Sequence, residues 1–127
     1  MIPNFRAWDK GTDLMNDVTV IDFENEEVYY NHWRYGHSEA ISFKDIELLQ
    51  STGLKDKNGV EIFEGDIISC EIETIEKFII CEQCGCFGIR DKVDGFISLN
   101  SINETLSINK EFEIIGNIYK HPYLLEE

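Results

Sequence analysis

The chain has 127 residues, 43% of them apolar and 12% aromatic, with 25 acidic side chains against 11 basic ones and a formal net charge of -14. That balance argues against nucleic-acid binding, whose affinity comes largely from Lys and Arg neutralising phosphates, and the basic residues are diluted by acids: Lys55 and Lys57 flank Asp56, Arg90 and Lys92 flank Asp91, and Lys110 adjoins Glu111. No apolar run reaches the roughly 18 residues of a membrane span, and no basic segment followed by an apolar one opens the sequence, so the expectation is a cytoplasmic protein with reduced cysteines.

Phe5 to Asp9 alternates as a strand does and is closed by a turn at Lys10-Gly11. Residues 15–23 and 28–33 follow as two strands, joined as a hairpin through the polar link Asn25-Glu26-Glu27. Tyr35-Gly36-His37-Ser38 is loop-like. In residues 42–49, Phe43, Ile46 and Leu49 recur at helical spacing within a short segment; a strand followed by one turn of helix is expected, and this is the natural seam between two β-rich halves.

Residues 51–70 read STGLKDKNGVEIFEGDIISC. Asn58-Gly59 supplies two positions that tolerate positive φ, as a two-residue hairpin loop requires, and Val60, Ile62 and Phe63 resume a β-prone run. Glu64-Gly65-Asp66 then breaks the chain before Ile67-Ile68. Further strands are expected over residues 66–75, 77–81, 87–90 and 96–99, with Cys84-Gly85-Cys86 as a turn and residues 100–106 as a polar connection. A last strand, 112–115, stops at Gly116, and the HPYLL tail reads as a short helical turn that docks.

Three blocks are distinctive in order and spacing: FRAWDK at residues 5–10, LLQSTGLKDKNGVEIFEGDII at 48–68 and EIIGNIYKHPYLLEE at 113–127. Together they resemble the YopX family of phage and prophage proteins over nearly the whole chain. The stretch from about residue 70 to 107 matches poorly, so its cysteines inherit no role. The resemblance implies a barrel-like roll for the C-terminal portion and a phage or prophage setting, and it implies no molecular activity. Many short strands separated by turn signals agree with it. The expected fold is mainly β with little helix: an N-terminal β subdomain over residues 1–50, and a small SH3-type barrel or roll with a short C-terminal helical turn over 51–127.

Among residues with chemical potential, Cys81, Cys84 and Cys86 form the cluster CEQCGC, half of a zinc ligand set. A tetrahedral site needs a fourth donor, and only Cys70 or one of the scattered His32, His37 and His121 is left to supply it; the expectation is free thiols on a hairpin turn and no bound metal. The histidines form no HxxxH pair and no base–nucleophile arrangement. His32 and His37 flank Trp33-Arg34-Tyr35-Gly36, which reads as a hairpin loop packing its aromatics rather than a base-stacking site. Asp56 with Glu61, and Glu64 with Asp66, are acids of turns, where a carboxylate bonds nearby backbone. No GxxxxGK[ST] or GxGxxG occurs, so nucleotide binding is unsupported.

No catalytic, cofactor or metal residue is therefore assigned. The functional expectation is a non-enzymatic accessory protein acting through a protein partner or by homo-oligomerisation, the latter suggested by Trp8, Trp33, Tyr29 and Tyr35, which look exposed. The 51–68 segment reads first as structure, with Gly53, Gly59 and Gly65 supplying turns, Asp66 capping one and Ile62, Phe63, Ile67 and Ile68 filling a core; the functional alternative is that it presents Lys55, Asp56 and Lys57 to a partner. Two alternatives remain: an acidic DNA mimic that inhibits a DNA-processing enzyme, and a zinc-knuckle module.

Overall fold

β-branched and aromatic residues broken at short intervals by glycine, asparagine and aspartate direct backbone hydrogen bonds between strands rather than along helices. A computed structural model describes residues 4–30, 40–71, 75–83, 85–90, 96–98 and 111–125, and these are mostly β. Contacts divide the chain into two compact units, Met1–Gln50 and Ser51–Glu127. Among the described residues no helix is long and apolar enough to cross a membrane.

The first unit contains β1 (Phe5–Asp9), β2 (Leu14–Asp22), β3 (Glu27–Tyr30), β4 (Ile41–Ser42), a 3₁₀ turn (Phe43–Asp45) and the start of β5 (Ile46–Lys55). The helical spacing of Phe43, Ile46 and Leu49 yields only that one turn. Ser42 Oγ accepts from the Lys44 amide at 3.3 Å, and Ile46 is already extended. Ala7, Val28, Tyr30 and Ile46 form the buried core, with Val18, Ile21, Ile41, Phe43 and Leu48 packed against it. A bulge in β2, where the register passes from Val18↔Tyr30 to Val20↔Tyr29, brings Val18 and Ile21 to the same core although strict alternation would place them on opposite faces. Trp8 is only 8% exposed and Tyr29 is half-buried, which corrects the expectation that they form an open aromatic surface. Trp33 and Tyr35 lie outside the described residues.

Antiparallel pairing among the described residues gives a sheet of order β4-β3-β2-β1-β5-β6, with β6 spanning Glu61–Phe63. β5 pairs with β1 from Ile46 to Gln50 and with β6 from Ser51 to Lys55. A second sheet has the order β10-β9-β8-β7-β11, from β7 (Asp66–Glu71), β8 (Ile75–Gln83), β9 (Cys86–Arg90), β10 (Phe96–Ser98) and β11 (Phe112–Asn117). Ile62, Ile68, Cys70, Ile80, Ile89 and Phe112 make its core, and Leu54, Phe78, Phe87 and Ile114 pack on it. Leu54 from β5 and Ile62 from β6 thus roll onto the second sheet, whose ladder is open with β10 and β11 as its ends. A closed SH3-type barrel is not among the described pairings. β11 also runs through Gly116, where a bulge replaces the expected stop.

Gly65, between β6 and β7, links three segments: its amide donates to Ile80 O at 2.8 Å and its carbonyl accepts from the Ile118 amide at 2.9 Å. Its φ is +87°, and a Cβ there would lie 2.9 Å from Tyr119 Cε2. Gly59 has φ +81° with nothing within 4 Å of a Cβ. Chemical denaturation should therefore separate the two: Gly59→Ala costs about 1 kcal/mol from backbone strain alone, whereas Gly65→Ala costs about 2 kcal/mol or more because strain and collision combine.

Candidate functional site

The 51–68 segment is where the sequence is most distinctive, and its polar side chains are turned on their own backbone. Gly53 at φ +80° marks the bulge between the Ser51↔Phe63 and Lys55↔Glu61 pairs. Around it, Thr52 Oγ1 donates to Ile62 O at 2.8 Å and accepts from the Leu54 amide at 3.1 Å. Ser51 Oγ accepts from the Gly53 amide at 3.0 Å and donates to Glu61 Oε2. The two-residue loop expected at Asn58-Gly59 is wider than that. The Asp56 amide donates to Val60 O at 2.9 Å, and within the described residues only Gly59 of the pair has positive φ.

Asp56 organises this loop. It is 3% exposed; Oδ1 accepts from the amides of Asn58 and Val60, both at 2.9 Å, and Oδ2 accepts from the Ile114 amide at 2.9 Å. The Lys57 amide donates to Phe112 O, also at 2.9 Å. Residues 56–57 therefore occupy the open side of β11 and satisfy groups that an edge strand would leave unpaired. Asp56 is enclosed, so the segment does not display it to a partner beside Lys55 and Lys57; the lysines are exposed. Asp66, 2% exposed, accepts from the Phe63 amide at 2.8 Å through Oδ2 and fixes the next turn. Asp56 and Asp66 are structural acceptors.

The same device recurs at the end of β1. Asp9 is buried; its Oδ1 accepts from the Gly11 amide at 2.9 Å and the Thr12 amide at 3.2 Å, while Oδ2 accepts from the Tyr30 hydroxyl at 3.2 Å. Burial, followed by the negative charge of Asp9 and its hydrogen bond, pushes the Tyr30 phenol far above its usual range.

Strand register separates the cysteines. Cys70 pairs with Glu76, whereas Cys81 lies five residues further along β8 opposite Gly88. At roughly 3.3 Å per residue that is about 16 Å, so Cys70 is not a fourth ligand for a site at Cys81 and Cys86. Cys86 pairs with Gln83 beside the Gly85 turn; Cys84 lies outside the described residues. Burial pushes the Cys81 thiol up. Among the described residues no group of three or more His, Cys, Asp and Glu side chains is arranged to hold a metal. His32, His37, Trp33, Arg34, Tyr35 and Gly36 lie outside the described residues. His121 Nδ1 accepts from the Asn117 amide at 3.2 Å over Gly116, a role in the C-terminal turn.

One surface residue missed in the sequence is Phe23. Counted as the end of a strand, it sits in the β2–β3 turn and is 74% exposed. The signal for it is a single aromatic side chain within the acidic run DFENEE, residues 22–27.

A family model described as YopX protein matches residues 4–126. The crystal structure of protein EF1440 from Enterococcus faecalis is similar over 99% of this chain and 99% of its own, at 30% sequence identity and a TM-score of 0.70. The X-ray structure of protein yopX from Bacillus subtilis is similar in fold over 97% of this chain and 98% of its own, at 17% identity and a TM-score of 0.62. No curated protein matches the sequence.

Two variants test these acceptors. Asp56→Ala removes the acceptor of three part-buried hydrogen bonds, from the amides of Asn58, Val60 and Ile114, and should cost about 3 kcal/mol in a denaturation experiment. Glu113→Ala removes a half-exposed ion pair to Lys57 at 3.7 Å and a surface bond from Asn58, and should cost less than about 1 kcal/mol. For Tyr30 the sign follows from proton affinity: the folded state holds the phenolic proton more tightly than the unfolded chain, whose Tyr ionises near pH 10. Its contribution is complete below about pH 10 and is lost as pH rises beyond that. Urea denaturation across this range should show a steeper alkaline decline for the wild type than for Tyr30→Phe.

Proposed function

As a member of the YopX protein family, this chain carries its most distinctive carboxylates buried against its own backbone, and we propose that it is a non-enzymatic interaction protein of phage or prophage origin that binds a protein partner or a second copy of itself. The observation that carries this reading is the state of Asp56 and Asp66. A general acid or base must exchange a proton with a substrate within hydrogen-bond reach. Both carboxylates are enclosed, and backbone amides donate to them. What these acceptors fix is the shape of the segment, and a fixed shape suits recognition.

A second reading draws on the charge. At -14, the chain has the composition of an acidic mimic that occupies the DNA site of a processing enzyme. Mimicry demands carboxylates along one face at phosphate-like spacing, and its contacts weaken steeply with salt. A zinc-knuckle role has less support, because the strand register carries Cys70 away from Cys81 and Cys86.

Light scattering on the purified chain, paired with affinity capture from a bacterial extract at low and high salt, tests the proposal. The expected result is a mass above the 14.8 kDa monomer or a stoichiometric protein partner. A monomer that retains nothing contradicts it. Capture of a DNA-processing enzyme that is released at high salt favours mimicry.

A further inference from the structure

The β2–β3 turn presents an aromatic side chain to solvent from a tightly held base. Asp22 Oδ1 accepts from the Asn25 amide at 3.1 Å, and Oδ2 accepts from Asn25 Nδ2 at 2.8 Å. Those two bonds also hold the Asp22 carboxyl below the usual carboxylate range, so it is charged near neutral pH. Glu26 closes the turn at φ +55°, a region that non-glycine residues enter at some cost, and its carbonyl accepts from the Phe43 amide at 2.9 Å. Behind the turn, the Phe43 ring meets the Phe23 ring edge-on, with centroids 6.1 Å apart and planes at 77°. Phe43 in turn packs on the buried core of the first unit. Phe23 is thus anchored on one side and open on the other, with 74% of its surface exposed.

Within the turn itself the charge is one-sided. Asp22, Glu24, Glu26 and Glu27 lie within residues 22–27, with no basic residue among them. The facing 3₁₀ turn adds Lys44 and Asp45, which cancel. A fixed aromatic ring rimmed by like charges has the anatomy of an interface anchor: the ring supplies burial, and the rim supplies orientation and selection. The sign of the rim decides the occupant. A second copy of this chain would bring four more acids against these four, and like charges facing each other across an interface are costly. We propose that Phe23 and its acidic rim form a docking tip for a protein that presents an apolar cluster flanked by lysine and arginine side chains. This rests on the reading of the chain as an interaction protein and specifies its partner.

Selection of random dodecapeptides displayed on phage, against the immobilised full chain at low salt, provides a probe without a named partner. Enriched peptides should carry Lys or Arg flanking apolar residues. As free peptides, they should bind at least about tenfold more weakly to Phe23→Ala and to the Glu24→Lys/Glu27→Lys double variant, and more weakly to the wild type at about 0.5 M salt. The double variant retains the ring and the single variant retains the rim. An unchanged thermal midpoint in each shows that the unit still folds. Enriched peptides without basic residues, or affinity unchanged in Phe23→Ala, would overturn this site while leaving the interaction reading intact. A dimer dispersed by Phe23→Ala would also overturn it, by making a second copy the occupant. Failure to enrich any peptide counts against both.

Discussion

The buried carboxylate of Asp56 is the constraint on which the C-terminal unit depends. It joins positions 58 residues apart, accepting from Asn58 and Val60 in its own loop and from Ile114 on the last strand. A carboxylate at 3% exposure is costly to bury unless its lone pairs are filled, and backbone amides fill them. β11 is added late in the chain and, among the described pairings, is bonded to β7 on one side. On its other side stand Asp56 Oδ2 and the Lys57 amide, so the loop completes the hydrogen bonding of the edge and holds Phe112 in the core. Without that loop, the second sheet would end in a strand open to further pairing.

Asp66 and Asp9 apply the same chemistry at other turns. Each is a buried aspartate whose carboxylate accepts from backbone amides, and Asp9 also accepts from the Tyr30 hydroxyl. Part of the acidity that gives this chain its charge is thereby structural. Other acids are exposed, Glu24 and Glu26 beside the Phe23 ring among them.

How much of this was legible in the sequence follows from the range of the interactions. β1 appears from Phe5 to Asp9 as its alternation indicates, and the short helical spacing at Phe43 gives one 3₁₀ turn before Ile46, because these are decisions of neighbouring residues. The roles of Asp56 and Asp66 as turn acids were legible for the same reason. That Asp56 also reaches Ile114 was not, since a partner 58 residues away leaves no mark in local pattern. Trp8 was read as exposed and is buried, since burial depends on what the sheet face meets, which periodicity does not record. The sequence left Cys70 as a conceivable fourth donor beside the CEQCGC cluster, and only the hairpin register places Cys70 and Cys81 well apart. Thr19 at the β2 bulge shifted a face without a glycine to announce it.

Native-state hydrogen exchange at the Ile114 amide measures the central constraint directly, because this amide donates to a side chain from an edge strand rather than to a neighbouring strand. If Asp56 secures the edge, the Ile114 amide exchanges only through global opening of the unit, with a protection free energy equal to that of amides in the central strands β7 and β8. Exchange on the timescale of an exposed loop amide, while β7 and β8 stay protected, would contradict the account.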